Sequence, residues 1–249
     1  MRGLRPIARA HLQGYRFIRT GYDQLAVSEM FRSYQGEGPS AGAPAIFLRL
    51  QGCNLFCVWC DTIDTWVKGS VYSVDDIIDL WISSGWAEDL YRGHMLVITG
   101  GEPLLRQGQL VLIIRRIVER LGLRPRIEVE TNGTIKPVEK LVELVDQFNV
   151  SPKLRNSGML PEIRFRLEAL RALAKSGKAI FKFVIVNKED ISEVLHYIET
   201  VPLPRDKVYL MPESRSREEY LERLELVKSL CREHGLRLSP RLHLLYGWN

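Results

Sequence analysis

Short apolar segments alternate with helix-like segments along most of this 249-residue chain. The run MLVIT at 95–99 is typical, since a continuous apolar run of this length favours a buried parallel strand. The predicted strands are 45–51, 95–99, 126–131, 147–151, 179–186 and 207–211. The predicted helices begin after an N-cap at Ser73 and then cover 104–121, 137–145, 162–176, 189–199 and 216–234.

This alternation predicts an α/β fold with parallel strands and right-handed crossovers. No linker of Pro, Gly or Ser divides the chain, so we expect one domain over 25–249 that forms a partial (β/α)6-type barrel. An open doubly wound sheet is the alternative. Residues 1–24 are interpreted as an N-terminal extension that could be poorly ordered. In both architectures the active site lies at the carboxyl ends of the strands.

The composition is that of an ordinary globular protein, with 45% hydrophobic and 26% charged residues. The formal net charge of +5 is mild and does not call for a direct nucleic-acid partner. No apolar run approaches 18 residues, so no membrane span is expected. The basic N-terminus lacks the apolar core of a secretory signal, and we expect a cytoplasmic protein.

Three of the four cysteines fall within eight positions, directly after the first predicted strand. Cys53, Cys57 and Cys60 form the pattern C-x3-C-x2-C. Iron–sulfur clusters are usually held by four thiolates. Three thiolates can therefore hold a [4Fe–4S] cluster and leave one iron open to a second molecule. A structural zinc site is the alternative, although no histidine follows Cys60 within thirty residues.

A second motif, Gly100-Gly101-Glu102-Pro103, follows the strand at 95–99. Two glycines allow the backbone to approach a ligand closely. The carboxylate of Glu102 could accept hydrogen bonds from the amino group of a cofactor bound to the open iron. An ordinary strand-to-helix turn with a capping acid is the alternative.

The run CNLFCVWC followed by GGEP resembles the radical S-adenosylmethionine superfamily. Residues 29–66 narrow the resemblance to the 7-carboxy-7-deazaguanine synthase family, with short further matches at 98–103, 128–134 and 151–153. The resemblance is faint in the last ninety residues. A glycyl-radical activase, which has the same cysteine spacing, and a zinc-binding module remain alternatives. An activase would have no need for the Tyr34–Gly38 turn.

The resemblance implies a lyase that converts 6-carboxy-5,6,7,8-tetrahydropterin to 7-carboxy-7-deazaguanine with ring contraction and loss of ammonia. The product would enter 7-deazapurine biosynthesis of the queuosine or archaeosine type, for tRNA modification. The implied cofactors are a [4Fe–4S] cluster, S-adenosyl-L-methionine and Mg²⁺. The implied partners are the pterin substrate, a second copy in a homodimer, and an electron donor such as flavodoxin or ferredoxin.

The resemblance also assigns residues to roles. The cluster ligands would be Cys53, Cys57 and Cys60, and the Mg²⁺ ligand would be Thr62, whose hydroxyl is a hard oxygen donor. Substrate contacts would be Tyr34, Gln35, Gly36, Glu37, Arg49 and Thr99. Cofactor contacts would be Gly101, Glu102, Ser151, Pro152, Lys153, Met211, Pro212, Glu213 and Ser214. For Arg49 a buried structural salt bridge is the alternative, and for the 34–38 turn a solvated surface loop. The tail that contains His243 departs from the family pattern.

Overall fold

The computed structural model describes residues 17–248, which form an α/β structure around one nine-stranded sheet. The strands are β1 (Gln24–Tyr34), β2 (Pro44–Leu50), β3 (Ser70–Ser73), β4 (Met95–Gly100), β5 (Ile127–Thr131), β6 (Gln147–Val150), β7 (Ala179–Ile185), β8 (Val208–Pro212) and β9 (Arg237–Leu238). Their order in the sheet is β3-β1-β2-β4-β5-β6-β7-β8-β9.

Nine α-helices lie within the described residues. They are α1 (Val74–Ser83), α2 (Trp86–Tyr91), α3 (Gln107–Leu121), α4 (Glu139–Leu144), α5 (Pro161–Arg164), α6 (Leu167–Lys175), α7 (Asp190–Thr200), α8 (Arg217–His234) and α9 (Leu242–Tyr246). Short 3-10 turns at Ile63–Trp66, Pro103–Arg106, Arg155–Ser157 and Arg205–Lys207 connect them to the sheet. None of the helices between residues 17 and 248 is long and apolar enough to cross a membrane.

The predicted partial barrel is confirmed by the strand pairing. Six strands, β2 and β4 to β8, are parallel to one another and follow one another in chain order. A doubly wound sheet would instead reverse its strand order at a switch point. β3 and β9 form opposite edges of the described sheet, so the barrel is open.

The longer helices bury an apolar face. In α3 the buried residues Leu110, Ile113, Ile114 and Ile117 recur at the spacing of a single helix face. The helix ends at Gly122, which has the left-handed conformation (φ 64°) that glycine adopts without steric cost. α1 begins at the predicted N-cap, Ser73, in a reciprocal pair of hydrogen bonds with Asp76.

One expectation about the elements was wrong. The helix predicted at 162–176 is two helices, because Phe165 takes an extended conformation and the Arg164 side chain turns inward to the carbonyls of Lys153 and Met159. The segment before Ser73 is strand β3, which was not predicted. β3 and the unpredicted β1 extend the sheet beyond β2 through antiparallel pairing.

The predicted extension, 1–24, falls partly outside the described residues, which begin at Phe17. The described part contacts the barrel through the buried Arg106, which donates to the Ile18 carbonyl at 2.8 Å and to Thr20 Oγ1 at 3.0 Å. The boundary at residue 24 stays a prediction.

Candidate active site

A cavity of about 690 Å³ lies where the parallel strands end. Its walls bring together most of the predicted site residues, in agreement with the rule that such folds bind ligands at the carboxyl ends of their strands. The predicted residues that line it are Tyr34, Gln35, Gly36, Glu37, Arg49, Cys53, Cys57, Cys60, Thr62, Thr99, Gly101, Ser151, Lys153, Met211 and Ser214. Four others do not line it: Glu102, Pro152, Pro212 and Glu213.

The cysteine loop follows β2 and is fixed at both ends by backbone hydrogen bonds. The amide of Gly52 donates to the Thr65 carbonyl at 2.8 Å, and the amide of Val58 donates to the Ser157 carbonyl at 3.0 Å. Cys53 and Cys57 are buried in a small apolar cluster with Leu55 and Trp66. The three thiols thus reach the cavity from a loop whose path is set by its own packing.

Burial is the main cause of the pKa shifts of these three thiols. It raises the pKa of Cys57 to about 12 and also raises the pKa values of Cys53 and Cys60. Metal coordination would supply the positive charge that turns such buried thiols into thiolates. Soft ligands on one loop, facing one cavity, fit an iron–sulfur cluster. Within residues 17–248 no three Cys, His, Asp or Glu side chains are grouped so as to hold a single metal ion.

The GGEP turn is packed directly against the cysteine loop. The amide of Gly101 donates to the Leu50 carbonyl at 3.1 Å, and that of Glu102 donates to the Gly52 carbonyl at 2.9 Å. A Cβ atom at Gly101 would lie 2.1 Å from the Gly52 carbonyl oxygen and 2.9 Å from Cys53 Cβ. Only glycine fits there, so the two motifs form one unit.

Glu102 has a different environment from the one expected. Its carboxylate is buried and accepts hydrogen bonds from the amides of Leu104 (2.9 Å) and Asn132 (2.7 Å) and from Thr131 Oγ1 (2.8 Å). Burial raises its pKa. This carboxylate therefore caps the turn and ties it to β5, as in the alternative considered from sequence. The backbone of Gly100 and Gly101 lines the cavity instead.

Two predicted substrate residues share one unpredicted acceptor. Glu130, near the end of β5, accepts from Gln35 Nε2 at 3.2 Å and from Thr99 Oγ1 at 2.7 Å. The two donors come from different parts of the chain, so Glu130 fixes them relative to each other.

Arg49 also lines the cavity, with its Nε 3.1 Å from the exposed carboxylate of Glu29. This pair is exposed, so it is not the buried salt bridge that was the alternative role for Arg49.

Glu37 lies between two buried cations that the sequence reasoning did not identify. Lys182 of β7 donates to one carboxylate oxygen, and Arg241 Nε lies 3.1 Å from the other. Burial alone would raise the pKa of Glu37, but Lys182 and Arg241 hold it well below its ordinary range. The carboxylate therefore stays ionised and acts as a hydrogen-bond acceptor. A lone lysine within the apolar run AIFKFVIV was the available signal for Lys182.

The C-terminal tail closes this side of the cavity. The amide of Leu242 donates to the Gly36 carbonyl at 2.9 Å. Gly36 has no room for a side chain, because a Cβ atom there would lie 2.1 Å from His243 Nδ1. His243 lines the cavity, and burial lowers its pKa. The tail is hence part of the site, although its sequence gave no clear match.

The cavity lining also includes most of the predicted cofactor residues. Lys153 Nζ donates to Ser151 Oγ at 2.8 Å and lies 5.2 Å from the ring centroid of Trp59. Thr62 lines the cavity with its Oγ1 3.7 Å from Cys60 Sγ. Glu213 is turned toward Arg223, at 3.3 Å, and away from the cavity.

Comparisons with known proteins agree with this geometry. The profile of the Radical SAM superfamily matches residues 48–201. A 7-carboxy-7-deazaguanine synthase of Pyrobaculum aerophilum is 38% identical over 233 residues, which cover 91% of this chain and 96% of that protein. The enzyme of the same name from Hyperthermus butylicus is 34% identical and covers 89% and 92%.

A solved structure is also similar. The crystal structure of QueE from Escherichia coli superposes with a TM-score of 0.65 at 27% identity, covering 87% of this chain and 93% of that one. The matched profile, residues 48–201, spans the cysteine loop and the GGEP turn. The chain belongs to the radical SAM superfamily and, within it, to the 7-carboxy-7-deazaguanine synthase family.

Proposed function

We propose that this protein converts 6-carboxy-5,6,7,8-tetrahydropterin to 7-carboxy-7-deazaguanine, with ring contraction and loss of ammonia, in 7-deazapurine biosynthesis. One observation carries the proposal: the three-thiol loop and the polar Tyr34–Gly38 turn line a single cavity. An activase acting on a protein glycine would have no use for that turn. The family relationship supports a radical SAM enzyme with a [4Fe–4S] cluster and S-adenosylmethionine.

Cys53, Cys57 and Cys60 would hold the cluster. A cluster bound there supplies the electron that generates an organic radical from S-adenosylmethionine. We place S-adenosylmethionine against the part of the cavity lining formed by the Gly101 backbone and by Ser151, Lys153, Met211 and Ser214. The ring of Trp59 lies beside Lys153, with its centroid 5.2 Å from Lys153 Nζ.

The substrate would lie against the part of the cavity lining formed by the Tyr34–Glu37 turn, Arg49 and Thr99. The ionised carboxylate of Glu37 can accept hydrogen bonds from the amino edge of the pterin, and Gln35 and Thr99 are held in place by Glu130. The guanidinium of Arg49 would bind the substrate carboxylate, because a guanidinium matches a carboxylate with two parallel hydrogen bonds. We further propose that Mg²⁺ binds Thr62 and the same substrate carboxylate, since Mg²⁺ prefers hard oxygen ligands and keeps several waters.

Three further proposals rest on the family relationship alone. They are a homodimer, an acidic electron-transfer protein such as flavodoxin or ferredoxin as reductant, and a cytoplasmic site of action.

Binding of the pterin to the reconstituted protein tests the substrate assignment. We expect Arg49→Met to raise the Kd for 6-carboxytetrahydropterin at least about tenfold, since it removes a charge-assisted pair. Arg223→Met is the matched control, because Arg223 pairs with Glu213 outside the cavity. An unchanged Kd in Arg49→Met would contradict the assignment.

A further inference from the structure

Arg241 is a buried cation that joins three loops around the cavity. Only 6% of the residue is exposed. Its Nε pairs with Glu37 on the substrate turn, and its two terminal nitrogens donate to the Ser214 carbonyl and to the carboxylate of Asp61. These four residues all line the cavity. The guanidinium thus uses all three of its nitrogens on the rim of the site.

The pairing with Asp61 is unusual for its position. Asp61 directly precedes Thr62, the proposed Mg²⁺ ligand, and both residues line the cavity. An aspartate carboxylate is an ordinary Mg²⁺ ligand, and its negative charge attracts a divalent cation far more strongly than a neutral hydroxyl does. The side chain of Asp61 is 45% exposed and so is accessible to an ion from solvent. Its charge is nevertheless matched by Arg241.

We propose that Arg241 is a positioning residue that withholds the Asp61 carboxylate from a divalent cation. The cation at Thr62 then lacks a charged ligand from the protein and binds only when the carboxylate of the substrate supplies one. This inference rests on the proposed function, because it takes the substrate to be a carboxylate and Thr62 to be the metal ligand. It makes metal binding depend on substrate.

Binding of Mn²⁺, a substitute for Mg²⁺ at oxygen sites, can be followed by electron paramagnetic resonance of the free ion in the full-length protein. Without substrate, we expect Arg241→Met to bind Mn²⁺ roughly tenfold more tightly than the wild type, because a cation beside the carboxylate has been removed. The double variant Arg241→Met/Asp61→Asn should lose this gain, and Arg241→Lys, which keeps the charge, should not show it. A purely structural role for Arg241 would not produce tighter binding. A folded Arg241→Met protein without the gain would overturn the inference.

A second measurement decides the matter if Arg241→Met does not fold. In Asp61→Asn, the substrate-dependent binding of Mn²⁺ should persist, because Asp61 is not a ligand. Its loss in that variant would overturn the inference by making Asp61 a ligand. Thr62→Ala tests the proposed metal ligand separately. Substrate-dependent Mn²⁺ binding that persists in Thr62→Ala, or that is missing in the wild type, would contradict the assignment of the metal to Thr62. The comparison of Arg241→Met with the wild type in the absence of substrate could still be interpreted.

Discussion

Glu130 connects Gln35 and Thr99, which we propose bind the substrate, to the sheet. Because it accepts from both Gln35 and Thr99, we expect Glu130→Gln to misplace both without removing either. The KM for the pterin should rise roughly tenfold, the cost of about one hydrogen bond to a charged group, while binding of S-adenosylmethionine is unchanged. Steady-state kinetics and a cofactor titration measure the two effects. An unchanged KM would show that Glu130 does not position these residues.

Gly101 tests the contact between the GGEP turn and the cysteine loop. We expect Gly101→Ala to reduce the iron content of the reconstituted protein severalfold, because its Cβ would lie 2.1 Å from a backbone oxygen that must then move. Gly108→Ala is the control. Gly108 lies in α3, and a Cβ atom there would be 3.9 Å from the nearest atom, which belongs to Tyr22. Iron and sulfide analysis measures the effect. Full cluster loading in Gly101→Ala would refute the coupling of the two motifs.

The place of a residue in the site could be predicted where it belongs to a contiguous sequence motif. It could not be predicted where it depends on contacts between distant parts of the chain. The cysteine loop and the GGEP turn are contiguous motifs. Lys182 and Arg241 meet Glu37 only because the sheet and the tail bring chain segments 145 and 204 positions apart into contact. The environment of Glu102 also depends on long-range packing, because two of its three hydrogen-bond donors, Thr131 and Asn132, lie at the end of β5 or directly after it.

At the scale of an element, α1 has the clearest local signal. Its capping box joins Ser73 and Asp76, and we expect Ser73→Ala to lower the free energy of unfolding by about 1 kcal/mol. Cluster content and turnover should stay at the wild-type level, because the cap is remote from the cavity lining. Urea denaturation checks the first expectation and iron analysis the second. A loss of cluster in this variant would show that α1 is coupled to the site.

The predicted strands and helices agree with the structure where the pattern is regular, and the missed elements lie at the sheet edge. β1 is partly exposed and contains polar residues, so it lacks the continuous apolar run of β4 or β7. Its antiparallel pairing with β2 makes residues 35–43 the loop of a hairpin, closed by reciprocal backbone hydrogen bonds such as Gln35 to Ala43 at 2.8 Å. The Tyr34–Gly38 turn is therefore part of a hairpin of the sheet rather than a solvated surface loop.

For the whole molecule, the buried ion pairs of Glu37 predict how stability depends on pH. The folded state holds the pKa of Glu37 below its ordinary value of 4.5. The resulting stabilisation is present above that pH and is lost as the pH falls below it. The difference in free energy of unfolding between the wild type and Glu37→Gln should therefore shrink as the pH is lowered from about 7 to about 3. Urea denaturation at each pH measures it, and a constant difference would contradict the ion-pair assignment.

The fold places every part of the proposed chemistry on one rim, because six parallel strands end there in chain order. Alternation of strands and helices was enough to predict that arrangement. It could not predict that the tail returns to cover the rim, since β9 is only two residues long and α9 contains no buried residue.

Anaerobic reconstitution with iron and sulfide, followed by turnover, tests the central claim most directly. The reaction would contain S-adenosylmethionine, a strong reductant, Mg²⁺ and 6-carboxytetrahydropterin, with products identified by mass spectrometry. We predict 7-carboxy-7-deazaguanine from the wild type and none from Cys57→Ala, which lacks one of the three thiols. A cluster-loaded wild type that cleaves S-adenosylmethionine and leaves the pterin intact would contradict the proposed substrate.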